Sequence, residues 1–598
     1  MPSDLLPAPR ARPSVCRHPH PRRLAPASLL ALLVHLFATP SPADQFQRHV
    51  VVAQEAHAAD AGLAILRAGG NAIDAAIATA FALAVTHPAA GNLGGGGFAV
   101  VYLASPRQVA TIDFRETAPA TASPTMYLDD QGRLLPNHRL GPRAAGVPGT
   151  VRGLGLLHRR FGRLPWHQLL EPAINLARNG FPVSPVLARS LNAQLFDSTG
   201  PLDPAAQLGA GLHRLAAFPA SVAAFRRPDA QPWQPGDRLT QPDLAQTLQR
   251  LADQGPDEFY VGRTASLIAD YCAAAGGLIT RDDLAAYRAI LRPPIHARFR
   301  GFDIYSVGPP SSGGITLALM LAHLDPAPLT RPDDPTTLHL ITEAMRRAYL
   351  VRALTLADPI ALPVPPHTLT SPPLIDALRA STTDQATPSS SLAPILIADS
   401  PGEGPQTTHL STLDADGNAV ALTYTLEEGY GCKAVVPGAG FLLNNEMGDF
   451  NLIPGRTDSS GRIGTRPNRI APHKRMLSSQ CPTIVLHNQS LRLVTGSPGG
   501  RTIPNTVLWI LLRALVFQDP PDTVVRGPRT HHAWLPDRLL LEGDSWPPAT
   551  LDALRARGHT LLQIPIQGDA HTILIDPSDH TIHGLADPRH LQSKAAGD

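Results

Sequence analysis

Apolar positions recur with two different periods along this 598-residue chain, and the period changes near residue 407. Before that point helical spacing dominates. Gln54 to Arg67 and Asn71 to Val85 read as two alanine-rich helices separated by Gly69 and Gly70. About 150–360 reads as mostly helical, with a strand near Phe302 to Val307. Phe98 to Leu103 and Val109 to Phe114 read as early strands. Beyond 407, β-branched and apolar runs predict strands at 408–413, 418–426, 483–487, 491–495, 570–576 and 580–584. Residues 381–406 are rich in Ser, Thr, Pro and Gly, lack aromatics, and read as a mobile linker between the two parts.

The boundary carries the richest chemistry. In GPQTTHLSTLDADGNAVALTYTL (Gly404 to Leu426), Asp414 to Gly417 supply turn residues between two strand-like runs, a hairpin signal. Folding back about this turn places Thr407 opposite Tyr424 or Thr425, depending on register. Cross-strand partners lie about 5 Å apart at Cβ, so a Thr425 hydroxyl could hold the Thr407 Oγ. If the bond before Thr407 were cut, one residue would carry both nucleophile and base. Its hydroxyl attacks and its freed α-amine, with an ordinary pKa of about 7.7–8, takes the proton. On spacing alone, a threonine-rich strand with no chemistry is the favoured reading.

The first 43 residues change the picture again. Arg10, Arg12, Arg17, Arg22 and Arg23 precede an apolar run from Leu24 to Ala38, and SPA at 41–43 is a small-residue cleavage signature. This reads as an export signal cut after Ala43, with an uncleaved anchor or an over-long start as the competing readings. The run is too short to span a bilayer comfortably, and no later segment holds 18 consecutive apolar residues. Formal net charge is +2; the leader's five arginines and one aspartate leave about −2 for the rest, which gives no support to a nucleic-acid or anionic-membrane partner. Gly and Pro together are 110 residues, short of a low-complexity composition. Of Cys16, Cys272, Cys432 and Cys481, three remain after the leader, and they read as buried free thiols rather than a disulfide framework. No HExxH or paired CxxC supports a metal, and His531–His532 reads as a structural pair.

GSPGG (496–500) follows the strand at 491–495 and precedes a long apolar helix from near Thr502. Unpaired N–H groups at a helix start carry the positive end of its dipole. Such a turn suits an oxyanion hole, in which each donor contributes about 3–4 kcal/mol of barrier lowering. A plain glycine turn is the alternative. A phosphate loop is excluded because no GK[ST] follows. Gly94 to Gly97 reads as close backbone packing.

Thirteen strings in one order resemble the γ-glutamyltransferase (γ-glutamyl transpeptidase) family of N-terminal-nucleophile hydrolases. They run from GGNAIDAA (69–76) and LAVTHPAAGNLGGGGF (83–98) through DFRETAPA (113–120), PPSSGGI (309–315) and QTTHLS (406–411). FLLNNEMGDF (441–450), KRMLSS (474–479), GSPGG and ADPR (586–589) follow. The resemblance implies an α+β fold, a four-layer αββα sandwich. It implies a proenzyme that cuts itself, giving a large subunit of 44–406 and a small catalytic subunit of 407–598. It makes Thr407 the nucleophile, Thr425 its orienting hydroxyl, and Gly499 and Gly500 the oxyanion donors. For the substrate's α-carboxylate it points to Arg115, Ser478 and Ser479; for its α-ammonium, to Glu446 and Asp449. No cofactor or metal is implied. The implied partners are glutathione or other γ-glutamyl amides and amino-acid or peptide acceptors, and the implied location is periplasmic or secreted.

Two departures stand out. Glu427, followed by Glu428, occupies a position where many members have Asn, which adds a carboxylate beside the ammonium site. The lid-length loop 451–471 contains no aromatic residue. These features resemble the branch that includes cephalosporin acylases. A glutaryl-type acylase is therefore the second reading, and an uncleaved binding protein the third.

Overall fold

A computed structural model describes residues 44–136, 138–196, 214–392 and 407–598. The leader with Cys16 and the residue before Thr407 lie outside the described residues. Two seven-stranded sheets form the centre, and every pairing within them is antiparallel. Sheet I runs, in spatial order, Asp44–Phe46, Ile582–Ala586, His571–Ile575, Ser490–Thr495, Thr483–His487, Phe302–Ser306, Ile295–Phe299. Sheet II runs Lys594–Gly597, Val50–Ala53, Thr408–Leu413, Ala419–Thr425, Gly96–Leu103, Gln108–Asp113, Ile290–Arg292.

Side-chain alternation along each strand decides which layer a residue joins. Val50, Val52, Phe98, Val100, Leu413 and Ala421 point inward from sheet II and meet Ile484, Val494 and Ile573 of sheet I. The opposite face of sheet II, with Val51, Ala53, Leu410 and Leu422, packs on the helices Ala56–Arg67, Ala72–Thr86 and Trp166–Asn179. The outer face of sheet I, with Val485, Leu493 and Leu574, packs on Gly313–Leu324, Pro335–Thr355 and Ile503–Leu511. Two apolar sheet faces and two helix layers give the expected αββα sandwich.

The hairpin Thr408–Thr425 is placed by its turn. Asp414 Oδ1 accepts from Asp416 N and Asn418 N, closing an Asx-type turn. Its Oδ2 accepts from Ala72 N at 2.9 Å, at the start of helix Ala72–Thr86. That helix starts with a capping box of Asn71 and Asp74. The register pairs Thr408 with Tyr424, which sets Thr407 beside Thr425.

Several strands escaped the sequence reading. Val50–Ala53 is a four-residue apolar run, and Lys594–Gly597 has no β-branched residue. Both are made by pairing, Ala53 with Lys594 on one side and with Leu410 on the other. The strands Ile290–Arg292 and Ile295–Phe299 lie in the segment read as helical. The expected linker starts too early: Ser389 is buried, its Oγ donates to Trp534 O, and its N–H donates to Asp537.

Gly94 to Gly97 is close packing, as read. A Cβ on Gly94, Gly95, Gly96 or Gly97 would meet Leu442 O, Thr425 O, Phe114 O or Thr423 O at 2.0–2.4 Å. The expected outcome of Gly95→Ala is a loss of about 1–3 kcal/mol, read by thermal denaturation. Unchanged stability would show that the Thr425 backbone can move aside.

Candidate active site

Thr407 stands at the end of its strand on the inward face, 6% exposed. Its Oγ1 donates to Thr425 Oγ1 at 3.4 Å, and Thr425 Oγ1 also accepts from Glu427 N at 2.8 Å. His409 shares the inward face but is no base for Thr407. Its ring bonds Thr423 and Ser411, and burial holds it neutral, well below the usual histidine range.

A small cavity is lined by Thr407, Thr425, Glu427, Arg115, Asp449, Ser478, Ser479 and Gly500, eight of the ten residues singled out in the sequence. Gly499 lines a neighbouring cavity on which Thr407 also borders. The ninth and tenth positions are therefore adjacent rather than absent, since Glu446 lies behind Arg115. Gly499 (φ +131°) and Gly500 (φ +55°) enter a short 3-10 turn, Gly500–Thr502, that leads into helix Ile503–Leu511. The turn's bonds from Thr502 N and Oγ1 go to the Gly499 carbonyl. Among the described residues neither glycine N–H is engaged by a neighbouring acceptor.

Ser478 and Ser479 are held from two sides. The motif PPSSGGI packs against them: Ser478 N donates to Pro310 O, and Ser312 N and Oγ donate to Ser478 O. Arg352, on helix Pro335–Thr355, donates to Ser312 Oγ at 3.0 Å and Ser479 Oγ at 2.9 Å. Sequence reading missed Arg352, because a single arginine in a long helix carries no local signature.

Arg115 follows strand Gln108–Asp113 and is fully buried. It pairs with Glu446 at 2.6 Å, with Asp449, and with Glu116 at 3.6 Å. The residues assigned to the two ends of a zwitterion thus contact each other in this structure. Burial pushes the Glu446 carboxyl well up and Glu116 up to about 7, with Arg115 opposing both. Arg139, also missed, donates to Glu427 at 2.6 Å and to Glu428 at 2.7 Å. The added carboxylates therefore arrive with a cation, which corrects the picture of Glu427 as a bare negative charge beside the ammonium site.

The aromatic-free loop 451–471 is tied down by backbone and amide bonds. Asn451 N donates to Asn468 O, Gly455 N to Gly464 O, and Thr465 Oγ1 to Ala353 O.

Elsewhere, Cys272, Cys432 and Cys481 are free and buried, and burial pushes their thiols up to about 12, 12 and 11. His531 bonds Asn505 and His532 faces Asp537, a structural pair as read. His339, Glu343 and His559 come close enough to suggest a metal. However, His339 Nδ1 and His559 Nε2 bond each other at 2.8 Å, and Glu343 is held by Arg346 and Arg347. Among the described residues no helix is long and apolar enough to cross a membrane.

The family model described as gamma-glutamyltranspeptidase matches residues 58–597. The chain belongs to the gamma-glutamyltranspeptidase family. Among relatives of this family, a "Glutathione hydrolase proenzyme" of Escherichia coli (strain K12) is 40% identical over 92% of this chain and 91% of its own. An "Acylase ACY 1 proenzyme" of Pseudomonas sp. (strain SE83) is 35% identical over 90% of this chain and 92% of its own. The crystal structure of a cephalosporin acylase from Bacillus halodurans superposes with a TM-score of 0.80 at 26% identity, covering 94% of this chain and 98% of that one. The gamma-glutamyltranspeptidase fold is thus common to glutathione hydrolases and acylases, and the site's own charges must separate them.

The raised Glu116 carboxyl has a stability consequence. Its folded pKa of about 7 lies above the ordinary 4.5, so the folded state holds its proton longer than the unfolded chain does. Stability is therefore lost as pH rises from about 4.5 to about 7. Glu116→Gln should show a smaller drop in melting temperature between pH 5 and pH 7.5 than the parent. An equal drop would place the titration elsewhere.

Proposed function

We propose that the chain is a proenzyme that cleaves itself between Gln406 and Thr407, and that the processed protein moves γ-glutamyl groups from glutathione or related amides to water or an amino acid. The observation that carries this reading is the meeting of the two threonine hydroxyls in a small cavity that Gly500, Arg115, Ser478 and Ser479 also line. In turnover the Thr407 Oγ attacks the γ-carbonyl while its α-amine takes the proton. Gly499 and Gly500 N–H groups stabilise the oxyanion. Thr425 holds the hydroxyl in line, and the amine leaves with the proton. Water or an amino acid then releases the ester. Arg115 with the two serines takes the α-carboxylate, and Asp449 with Glu446 takes the α-ammonium. A zwitterionic substrate end would replace part of the existing Arg115–Asp449 contact. Residues 1–43 direct export, and 44–406 and 407–598 remain together as a heterodimer.

On a denaturing gel the purified protein should give two bands in about a two-to-one mass ratio, and N-terminal sequencing of the smaller should begin at Thr407. Thr407→Ala should give one band and no turnover; an active, uncut variant would end this reading.

A second reading, an acylase for glutaryl-type amides, draws support from Arg139. By offsetting one of the two charges of Glu427 and Glu428 it lowers the barrier to a substrate without the ammonium. Glu446 and Asp449 still favour the ammonium. The expected result is faster hydrolysis of a γ-glutamyl anilide than of the glutaryl anilide, by kcat/KM. The reverse order would favour the acylase.

A further inference from the structure

Two cavities meet at Thr407. The small one holds Gly500, Arg115, Ser478 and Ser479, groups assigned to the γ-glutamyl end. The other, of about 390 Å³, is lined by Pro498, Gly499 and Thr502 of the oxyanion turn. Among the described residues, Thr407 is the one that both linings share. A larger, arginine-lined cavity meets the small one through Arg352, Asp449 and Leu477, at the ammonium end, and is not lined by Thr407. An acyl carbon on the Thr407 Oγ, with its oxygen at Gly499 and Gly500, has two further substituents. The glutamyl chain takes the small cavity, which leaves the amine facing the Gly499 side.

The wall on that side offers no uncompensated charge. Arg589 is paired with Glu542 and Asp587. Burial and the neighbouring Asp587 push the Asp569 carboxyl well up, and burial holds His87 down at about 3 and His590 below its ordinary value. The hydroxyls and amides are engaged with each other or with backbone: Ser190 with Tyr430 at 2.6 Å, Thr502 with Gly499 O at 2.9 Å, Gln54 with Asp569 at 2.9 Å, and Gln567 with Thr530 O at 3.1 Å. The wall's unpartnered polar atoms, Gln54 Oε1, His87 Nε2, Gln567 Oε1, Asp569 Oδ1 and His590 Nδ1, expose almost no surface. What remains open is apolar. Val186 and Leu187, on helix Pro185–Leu195, line the cavity with Ala89, Pro498 and Ile566. Ile566 is 56% exposed, and Leu591, which falls between the lining residues His590 and Gln592, is 79% exposed. Large aliphatic side chains left in water beside a concave site suit an apolar ligand.

We propose that the Gly499-side cavity is a subsite for the amine half of the γ-glutamyl amide, and that it selects uncharged, apolar side chains on that half. This rests on the γ-glutamyl reading above. The Thr407 Oγ–C bond forms as the amide C–N bond breaks, and the proton taken by the α-amine passes to the departing nitrogen. Until it departs, the amine's side chain lies against Val186, Leu187 and Ile566. There it is taken out of water without a new polar partner, which favours a hydrocarbon over a polar group of the same shape.

The test uses three donors whose leaving groups share one shape: γ-glutamyl-leucine, γ-glutamyl-asparagine and γ-glutamyl-aspartate. By kcat/KM the leucine compound should exceed the asparagine compound by about tenfold, the fold-change that corresponds to partial burial of one aliphatic side chain. The aspartate compound should be no faster than the asparagine one. The leucine-to-asparagine ratio should fall toward one in V186S/I566S and persist in V186L/I566L. Hydrolysis of γ-glutamyl-p-nitroanilide separates the two levels of the argument. An enzyme that cleaves the anilide overturns the subsite alone if its ratio is near one, if it prefers aspartate, or if V186S/I566S leaves the ratio unchanged. An enzyme that cleaves no γ-glutamyl donor overturns the subsite and the reading beneath it.

Discussion

The strand Thr408–Leu413 is hydrogen-bonded on both sides, and the rest of the site follows from that constraint. One neighbour, Ala419–Thr425, comes from the same hairpin; the other, Val50–Ala53, comes from the far end of the sequence. Sheet II joins the two parts of the chain at two further places, since Lys594–Gly597 pairs with Val50–Ala53 and Gly96–Leu103 pairs with Ala419–Thr425. A break before Thr407 would leave both pieces laced into one sheet. It would free the end of a strand whose position is already fixed by partners. Self-cleavage of this kind needs no later assembly step to bring the nucleophile to its pocket.

The second organising feature is compensation of charge at depth. Arg115, Glu116, Glu446 and Asp449 share a nearly dry space, and an isolated charge there would cost several kcal/mol. Mutual pairing lets the site hold strong binding groups without a substrate present. The same logic explains Arg139 beside Glu427 and Glu428. Under the proposed function, a zwitterion would bind here by exchanging partners with these pairs, which would favour ligands that carry both charges.

How much of this was legible in the sequence follows from the range of each interaction. Short-range signals served well. The Asp414–Gly417 turn, the alanine-rich helices and the glycine turn at 496–500 all sit where their local chemistry places them. Eight of the ten residues singled out in the sequence line one cavity. What local reading lost was long-range. Val50–Ala53 and Lys594–Gly597 become strands through each other, and Ser389 is ordered by Asp537 and Trp534. Arg139 and Arg352 were invisible because their partners in the site, Glu427 and Glu428 for the one and Ser479 for the other, lie 288, 289 and 127 residues away along the chain.

The three buried thiols have a practical consequence. Cys272 and Cys432 lie in the helix layer against sheet II, and Cys481 lies in the layer against sheet I. Their raised ionisation and lack of exposure keep them unreactive in the native molecule. A thiol-directed label therefore modifies them only when the layer that shields each one opens. The natural sequence thus carries its own sensors, one set on either side of the sandwich, able to tell whether heat or denaturant loosens both halves at once or one before the other.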